Sequence, residues 1–225
     1  RLAVPGAGCG NGTPYAVFVS TGPTQIDGQP NRRMVIWMEG GGSTQKNPLG
    51  QVQTSIHTLG EFQSLLNANA DYDGATGVFM DHAANDLYIG AASWVFFPYC
   101  TQDIHLGERT DAVRYDMTSQ QPLFAQVQAL LTVGQTPAQI EATYVGLDVV
   151  ASFSNGSYTL QNLYVDIQHR GALNVAAAWQ RALQFLAAAG FQPPNDLLIG
   201  GTSAGSYGAW YNAWRFVDAL AESGP

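Results

Sequence analysis

Lysine is almost missing from this chain. Lys46 stands alone, and Lys plus Arg number 9 against 17 Asp plus Glu, a net charge of −8. A balance that acidic argues against nucleic acids, anionic polymers and anionic membrane surfaces as partners. Charged residues of all kinds make up only 12%. No apolar run approaches the roughly 18–20 residues that a membrane span needs. The four histidines, His57, His82, His105 and His169, are scattered without paired-ligand spacing, so no metal signature is present and no cofactor is implied. Cysteines number only two, and two readings of Cys9 and Cys100 stay open. They form one disulfide, which suits a secreted or periplasmic protein, or they are two buried free thiols. The chain starts at Arg1 with no apolar leader, so a targeting segment is expected to have been removed or to lie outside this numbering.

What is present is a globular composition. Apolar residues reach 46% of 225, enough for one domain with a sizeable core. Asn11-Gly12-Thr13 and Asn155-Gly156-Ser157 match the glycosylation sequon, which matters only in a eukaryotic secretory pathway.

The chain is organised around Leu197 to Gly208. There an apolar run meets Gly201-Thr202-Ser203-Ala204-Gly205, which fits G-x-S-x-G, the nucleophile elbow. In that motif the serine sits on a strained strand-to-helix turn, and the next N–H, that of Ala204, faces a developing oxyanion. Asp196 to Ile199 reads as a buried parallel strand. Tyr207, Tyr211, Trp214 and Val217 recur at helical spacing after it, while Gly205, Gly208 and Ala209 would let that helix pack closely on its strand. The plainer alternative is a Gly/Ser-rich turn without chemistry.

Upstream, residues 1–33 are rich in Gly, Pro, Asn and Thr, with Tyr15 to Ser20 as a candidate edge strand. Met34 to Met38 reads as a central strand ending at Glu39-Gly40-Gly41-Gly42. Three glycines at a strand end can aim several N–H groups at one point, as an oxyanion hole or a phosphate cradle does. A phosphate loop would carry a Lys at its helix start, which is absent here, whereas a lipase-type oxyanion loop needs none. An ordinary flexible glycine turn is the alternative. Residues 43–92 read as a polar insertion with a helix at Leu59 to Asn67, of a length that suits a functional cap. Trp94 to Tyr99 is the next strand, and Asp103 and His105 in the turn after it either line a site or stabilise the loop by hydrogen bonds, the second being the better reading. A second insertion, residues 108–160, carries a helix at Leu123 to Leu131 and a capped helix start at Thr136-Pro137. Its Phe124, Tyr144, Phe153 and Tyr158 line a pocket or form the insertion's own core. Leu163 to Ile167 is a strand, Ala172 to Ala189 a helix stopped by Gly190, and together with the elbow they predict a right-handed βαβα unit. The fold class expected is α/β, an α/β-hydrolase-like, mostly parallel sheet flanked by helices, with cap insertions at 43–92 and 108–160 in a single domain. The last helix is expected to stop at Ser223-Gly224-Pro225.

Three segments resemble the pectin acetylesterase and Notum-type carboxylesterases, a family within the α/β-hydrolase superfamily. Met38-Glu39-Gly40-Gly41-Gly42 is similar to the family's Leu-Glu-Gly-Gly-Gly-Trp-Cys oxyanion loop. Phe97 to Gly107 resembles its Pro-Tyr-Cys-(Asp/Thr)-Gly-Asp segment, and Ile199 to Gly205 its Gly-x-Ser-Ala-Gly-Gly turn. His169-Arg170-Gly171 fits the Arg-Gly step before a helix. The likeness covers roughly half the chain, in the family's order. It implies a serine carboxylesterase with Ser203 as nucleophile and the N–H groups of Gly41, Gly42 and Ala204 as oxyanion hole, acting on an acetyl group on a polysaccharide or a lipid acyl group on a protein, while the aromatic-bearing insertions also suit a hydrophobic polyester. Ser43-Thr44 in place of Trp-Cys, Ser206 in place of the second Gly, and the low cysteine count depart from the pattern and leave acyl and alcohol specificity open.

The chemistry is incomplete. An α/β-hydrolase runs Ser, then Asp or Glu, then His, yet none of the 22 residues after Ser203 is a histidine. Three readings follow. The first is that the C-terminal part of the fold lies in a second polypeptide or fragment that brings the histidine and its acid, and that its removal exposes an apolar sheet edge and helix face. The second is a base drawn from His57, His82, His105 or His169 in a non-standard order, His105 first. The third is a non-catalytic homologue that binds an ester or a glycan.

Overall fold

The structure is a computed structural model that describes residues 1–66 and 91–222. In chain order its elements are β1 (Leu2–Gly8), β2 (Pro14–Ser20), β3 (Gln25–Ile26), β4 (Gln29–Pro30), β5 (Arg33–Met38), β6 (Gln45–Lys46), β7 (Val52–Gln53) and α1 (Leu59–Leu66). There follow β8 (Ser93–Phe97), β9 (Ala112–Asp116), α2 (Gln121–Thr132), α3 (Pro137–Thr143), β10 (Leu147–Ser154), β11 (Ser157–Gln168), α4 (Gly171–Ala188), β12 (Asp196–Gly201) and α5 (Ala204–Glu222).

The main sheet has five strands in the order β1-β2-β8-β5-β12. β12, β5 and β8 are parallel neighbours, and β2 is antiparallel to both β8 and β1. Four strands therefore point one way and β2 alone opposes them. The apolar run of β5 is buried from Met34 to Ile36 because it lies between β8 and β12, as a central strand must. Tyr15 to Ser20 is not an edge strand. It forms β2, and β1 covers its outer side, a strand that Pro5 and Gly6 hide from any alternating pattern.

Residues 163–167 do form a strand, but not in this sheet. They belong to β11, the centre of a separate antiparallel sheet ordered β10-β11-β9. The expected βαβα unit is therefore wrong at its first strand. The Asn155-Gly156 turn is the cause: two left-handed residues, φ 52° and 83°, fold β10 and β11 into a hairpin. That sheet has its own core. Leu123, Val127, Leu131 and Ile140 from α2 and α3, and Ile56, Leu59, Phe62 and Leu66 from the earlier insertion, pack on Leu163 and Val165. The described parts of both insertions thus build one body. Phe124, Tyr144 and Tyr158 pack against this core, whereas Phe153 is 62% exposed and meets it only through the Tyr158 ring. α3 starts with the capping box read from Thr136 and Gln139.

α4 and α5 complete the main core. Val175, Ala178, Trp179, Ala182 and Leu186 of α4 meet Met34, Ile36, Val95 and Phe97 of the sheet and Phe216 of α5. Cys9 and Cys100 form a disulfide that joins the end of β1 to the loop after β8. β12 is parallel as read, yet it is not buried. It pairs with β5 on one side and with no strand on the other among the described residues, and Leu198 is 38% exposed. The aromatic stripe of α5 also faces outward. Tyr207, Tyr211, Trp214 and Val217, with Trp210 at 80% exposure, lie opposite the small face of Ala204, Gly205, Gly208 and Ala209 that packs on the strand. No described helix is long and apolar enough to cross a membrane.

Candidate active site

Three loops meet at the C-terminal ends of the parallel strands β5, β8 and β12, where open α/β sheets place their ligand sites. The first is the elbow. Ser203 has φ 51°, a left-handed conformation uncommon for serine, and is exposed between β12 and the start of α5. Thr202 N–H donates to the Met38 carbonyl at 3.1 Å, tying the elbow to the end of β5. Gly205 is required by close approach: a Cβ there would run into the Met38 carbonyl and lie 2.6 Å from that of Glu39.

The second loop is Glu39 to Gly42. It lies against the elbow, since a Cβ on Gly40 would stand 2.8 Å from the Ser203 Cβ. Gly42 has φ 71°, and a Cβ on it would collide with Ser55 Oγ. The carbonyls of this loop are held from behind: Gln102 Nε2 donates to Gly41 O at 3.0 Å and Tyr99 Oη to Gly42 O at 2.8 Å. The N–H groups of Gly41, Gly42 and Ala204 donate to no acceptor among the described residues.

The third loop, Tyr99 to His105, supplies that backing. Gln102, Ile104 and His105 all have positive φ, at 55°, 53° and 61°. Asp103 is structural. Its carboxylate accepts from Thr101 Oγ1 at 2.6 Å, His105 N at 3.1 Å and Gly171 N at 2.7 Å, the last at the first residue of α4. His105 is 2% exposed and its Nε2–H donates to the Glu39 carbonyl at 2.8 Å. Burial holds its imidazole below the usual value, against the raising effects of that bond and of Asp103. Burial likewise raises the Glu39 carboxyl, opposed by the Tyr99 N–H that it accepts at 2.9 Å.

No described histidine is bonded to Ser203. His105 is committed to Glu39, His169 lies between Tyr115 Oη at 2.6 Å and the Thr101 carbonyl at 3.0 Å, and His57 meets Gln120 at 3.2 Å. His82 lies outside the described residues. The loop-stabilising reading of Asp103 and His105 is the one observed. Gln102 and Tyr99 stood in the sequence only as motif letters. The signal that marks them is their place at the same sheet end as the triple glycine.

No protein-family profile matches the chain, and no curated protein sequence does. Among solved structures it is similar to the Wnt deacylase Notum from Drosophila, with a TM-score of 0.56 at 16% identity. The match covers 99% of this chain and 48% of that one, so this chain spans about half the length of the neighbour. At that identity the likeness shows the fold alone: a mixed α/β sheet with flanking helices, built as part of Notum is built.

Proposed function

We propose that this chain is the nucleophile-bearing part of a serine carboxylic ester hydrolase of the α/β-hydrolase type. The carrying observation is Ser203 itself, exposed at φ 51° on a strand-to-helix turn beside a glycine loop whose Gly41 and Gly42 N–H groups donate to no acceptor among the described residues. Ser203 Oγ attacks the ester carbonyl carbon. The carbonyl oxygen becomes an oxyanion held by the N–H groups of Gly41, Gly42 and Ala204, where one donor is typically worth about 3 kcal/mol. A histidine takes the serine proton and returns it to the departing alcohol, and water then cleaves the acyl-enzyme. The substrate is an acetyl or longer acyl ester, and the neighbour's description as a deacylase supports that class. The one body to which the described parts of both insertions contribute caps the site. The Cys9–Cys100 disulfide suits secretion or a periplasm.

The base and its acid are proposed to come from a further polypeptide segment. A chain that leaves β12 through α5 in the usual right-handed crossover would lay its next strand along β12's open edge. The same segment would cover Leu198 and the aromatic face of α5. An intact mass with N-terminal sequencing of the natural protein tests for it, a second polypeptide or a longer chain being the expected result.

The decisive experiment labels the natural protein, with whatever polypeptide accompanies it, by a fluorophosphonate. The adduct is expected on Ser203, Ser203→Ala is expected to abolish turnover of p-nitrophenyl acetate, and the matched anilide is expected to turn over far more slowly. An unmodified serine would sink the proposal and leave a binding homologue of the same fold.

A further inference from the structure

We propose that Gln102 is the positioning residue that aims the Gly42 N–H at the oxyanion, an inference that rests on the ester hydrolase reading of Ser203. In a planar trans peptide the C=O of Gly41 and the N–H of Gly42 point in opposite directions. A bond that holds one from behind therefore fixes where the other points. Gln102 Nε2 makes that bond at 3.0 Å.

The clamp matters because this peptide joins two glycines. With no Cβ on either side, the plane can turn over at little cost. Turned over, it would present a carbonyl lone pair to the reacting oxygen, replacing attraction with repulsion. The donor on Gln102 selects the useful orientation. Tyr99 does a different job: it holds the carbonyl of the next peptide, whose N–H, that of Ser43, is used up on Ser55 Oγ at 3.2 Å.

Gln102 is itself over-determined, as a positioning group must be. It is 1% exposed. Its Oε1 accepts from Thr44 Oγ1 at 3.1 Å and its carbonyl accepts from Thr44 N at 3.1 Å, so the amide cannot turn round without losing both its contacts. Its φ of 55° is strained for glutamine, and backbone strain of that kind collects where surrounding structure enforces a functional geometry. The paired Cys100 two residues upstream and the triply bonded Asp103 one residue downstream hold both flanks.

The test uses Gln102→Met, which keeps length and loses the donor, and Gln102→Leu, which also loses it in a shorter apolar side chain, should the first fail to fold. Expected for either is a kcat about 10- to 100-fold lower, short of outright loss of a donor. KM should stay within about threefold, because ground-state binding does not use the hole, and the rate of fluorophosphonate labelling should fall in step with kcat. A crystal structure of the variant should show the Gly41–Gly42 peptide turned over or in two orientations. Wild-type kcat, or an unmoved Gly41–Gly42 peptide, overturns the proposal. The crystallographic arm decides even if wild-type Ser203 shows no reactivity: a turned peptide would then keep the clamp and sink only the hydrolase reading.

Discussion

The hairpin tips at Asp27 and Asn155 and the loops around Ser203 use the same left-handed backbone for opposite ends. At the tips φ is 51° and 52°, each residue is followed by a left-handed glycine, and each is Asp or Asn, types that tolerate the conformation. These turns carry little strain and close hairpins at the surface. Around the site the same region is occupied by Gln102, Ile104, His105 and Ser203, of which only histidine takes it up with any frequency, and a β-branched residue such as Ile104 is a true outlier there. Gln102 and His105 are held by hydrogen bonds to Gly41, Thr44 and Glu39, and the Ile104 N–H donates to Tyr99 Oη. The contrast teaches that backbone strain in this molecule is concentrated where the three loops converge.

Substitutions that separate the two kinds of turn should do so in a graded way. The largest effect is expected from Gly205→Ala, whose methyl group would be driven into the Met38 carbonyl. We expect about 3 kcal/mol of lost stability by urea unfolding, together with loss of Ser203 labelling. Next comes an acid effect at His105. Burial lowers its pKa in the folded state, so above pH 6.5 the imidazole is neutral whether folded or not, and stability is intact. As pH falls below 6.5 the unfolded chain binds the proton first, and stability declines until the folded value is passed. His105→Gln should flatten that part of the melting-temperature profile, and an unchanged slope would remove His105 from the explanation. Third, Ser203→Gly should be more stable than Ser203→Ala by about 1 kcal/mol, because glycine relieves the left-handed strain and alanine does not. The smallest difference belongs to the control turn: Asn155→Ala should cost about 0.5 kcal/mol and Asn155→Gly almost nothing. A larger penalty at Asn155 than at Ser203 would erase the distinction.

How far the sequence could be read follows the same division. Local chemistry was legible. Gly201 to Gly205 announced a strand-to-helix turn because only glycines permit it. Met34 to Met38 announced a buried strand through its unbroken apolar run, and Thr136 and Gln139 a helix start by mutual capping. Partners distant in sequence were not legible. β1 exists because β2 pairs with it, and nothing within Leu2–Gly8 says so. Asn155-Gly156 is a hairpin signal as well as a sequon, and only the hairpin places residues 163–167 in the second sheet rather than the parallel one. The stripe on α5 had helical spacing, but spacing does not say which face turns inward, and here the small face does. Gln102 could not be found at all without knowing that the end of β8 lies beside the end of β5.

The Cys9–Cys100 bond spans 91 residues of chain. In the chain-entropy account a link of that reach contributes about 4–5 kcal/mol by restricting the unfolded ensemble. It also fastens the segment that backs the triple glycine to the first strand of the sheet. Where thiols are kept reduced as the chain folds, that fastening would not form, and Tyr99 and Gln102 would lack one of their anchors. Competence of the glycine loop is in this way tied to the redox history of the compartment in which the chain folds.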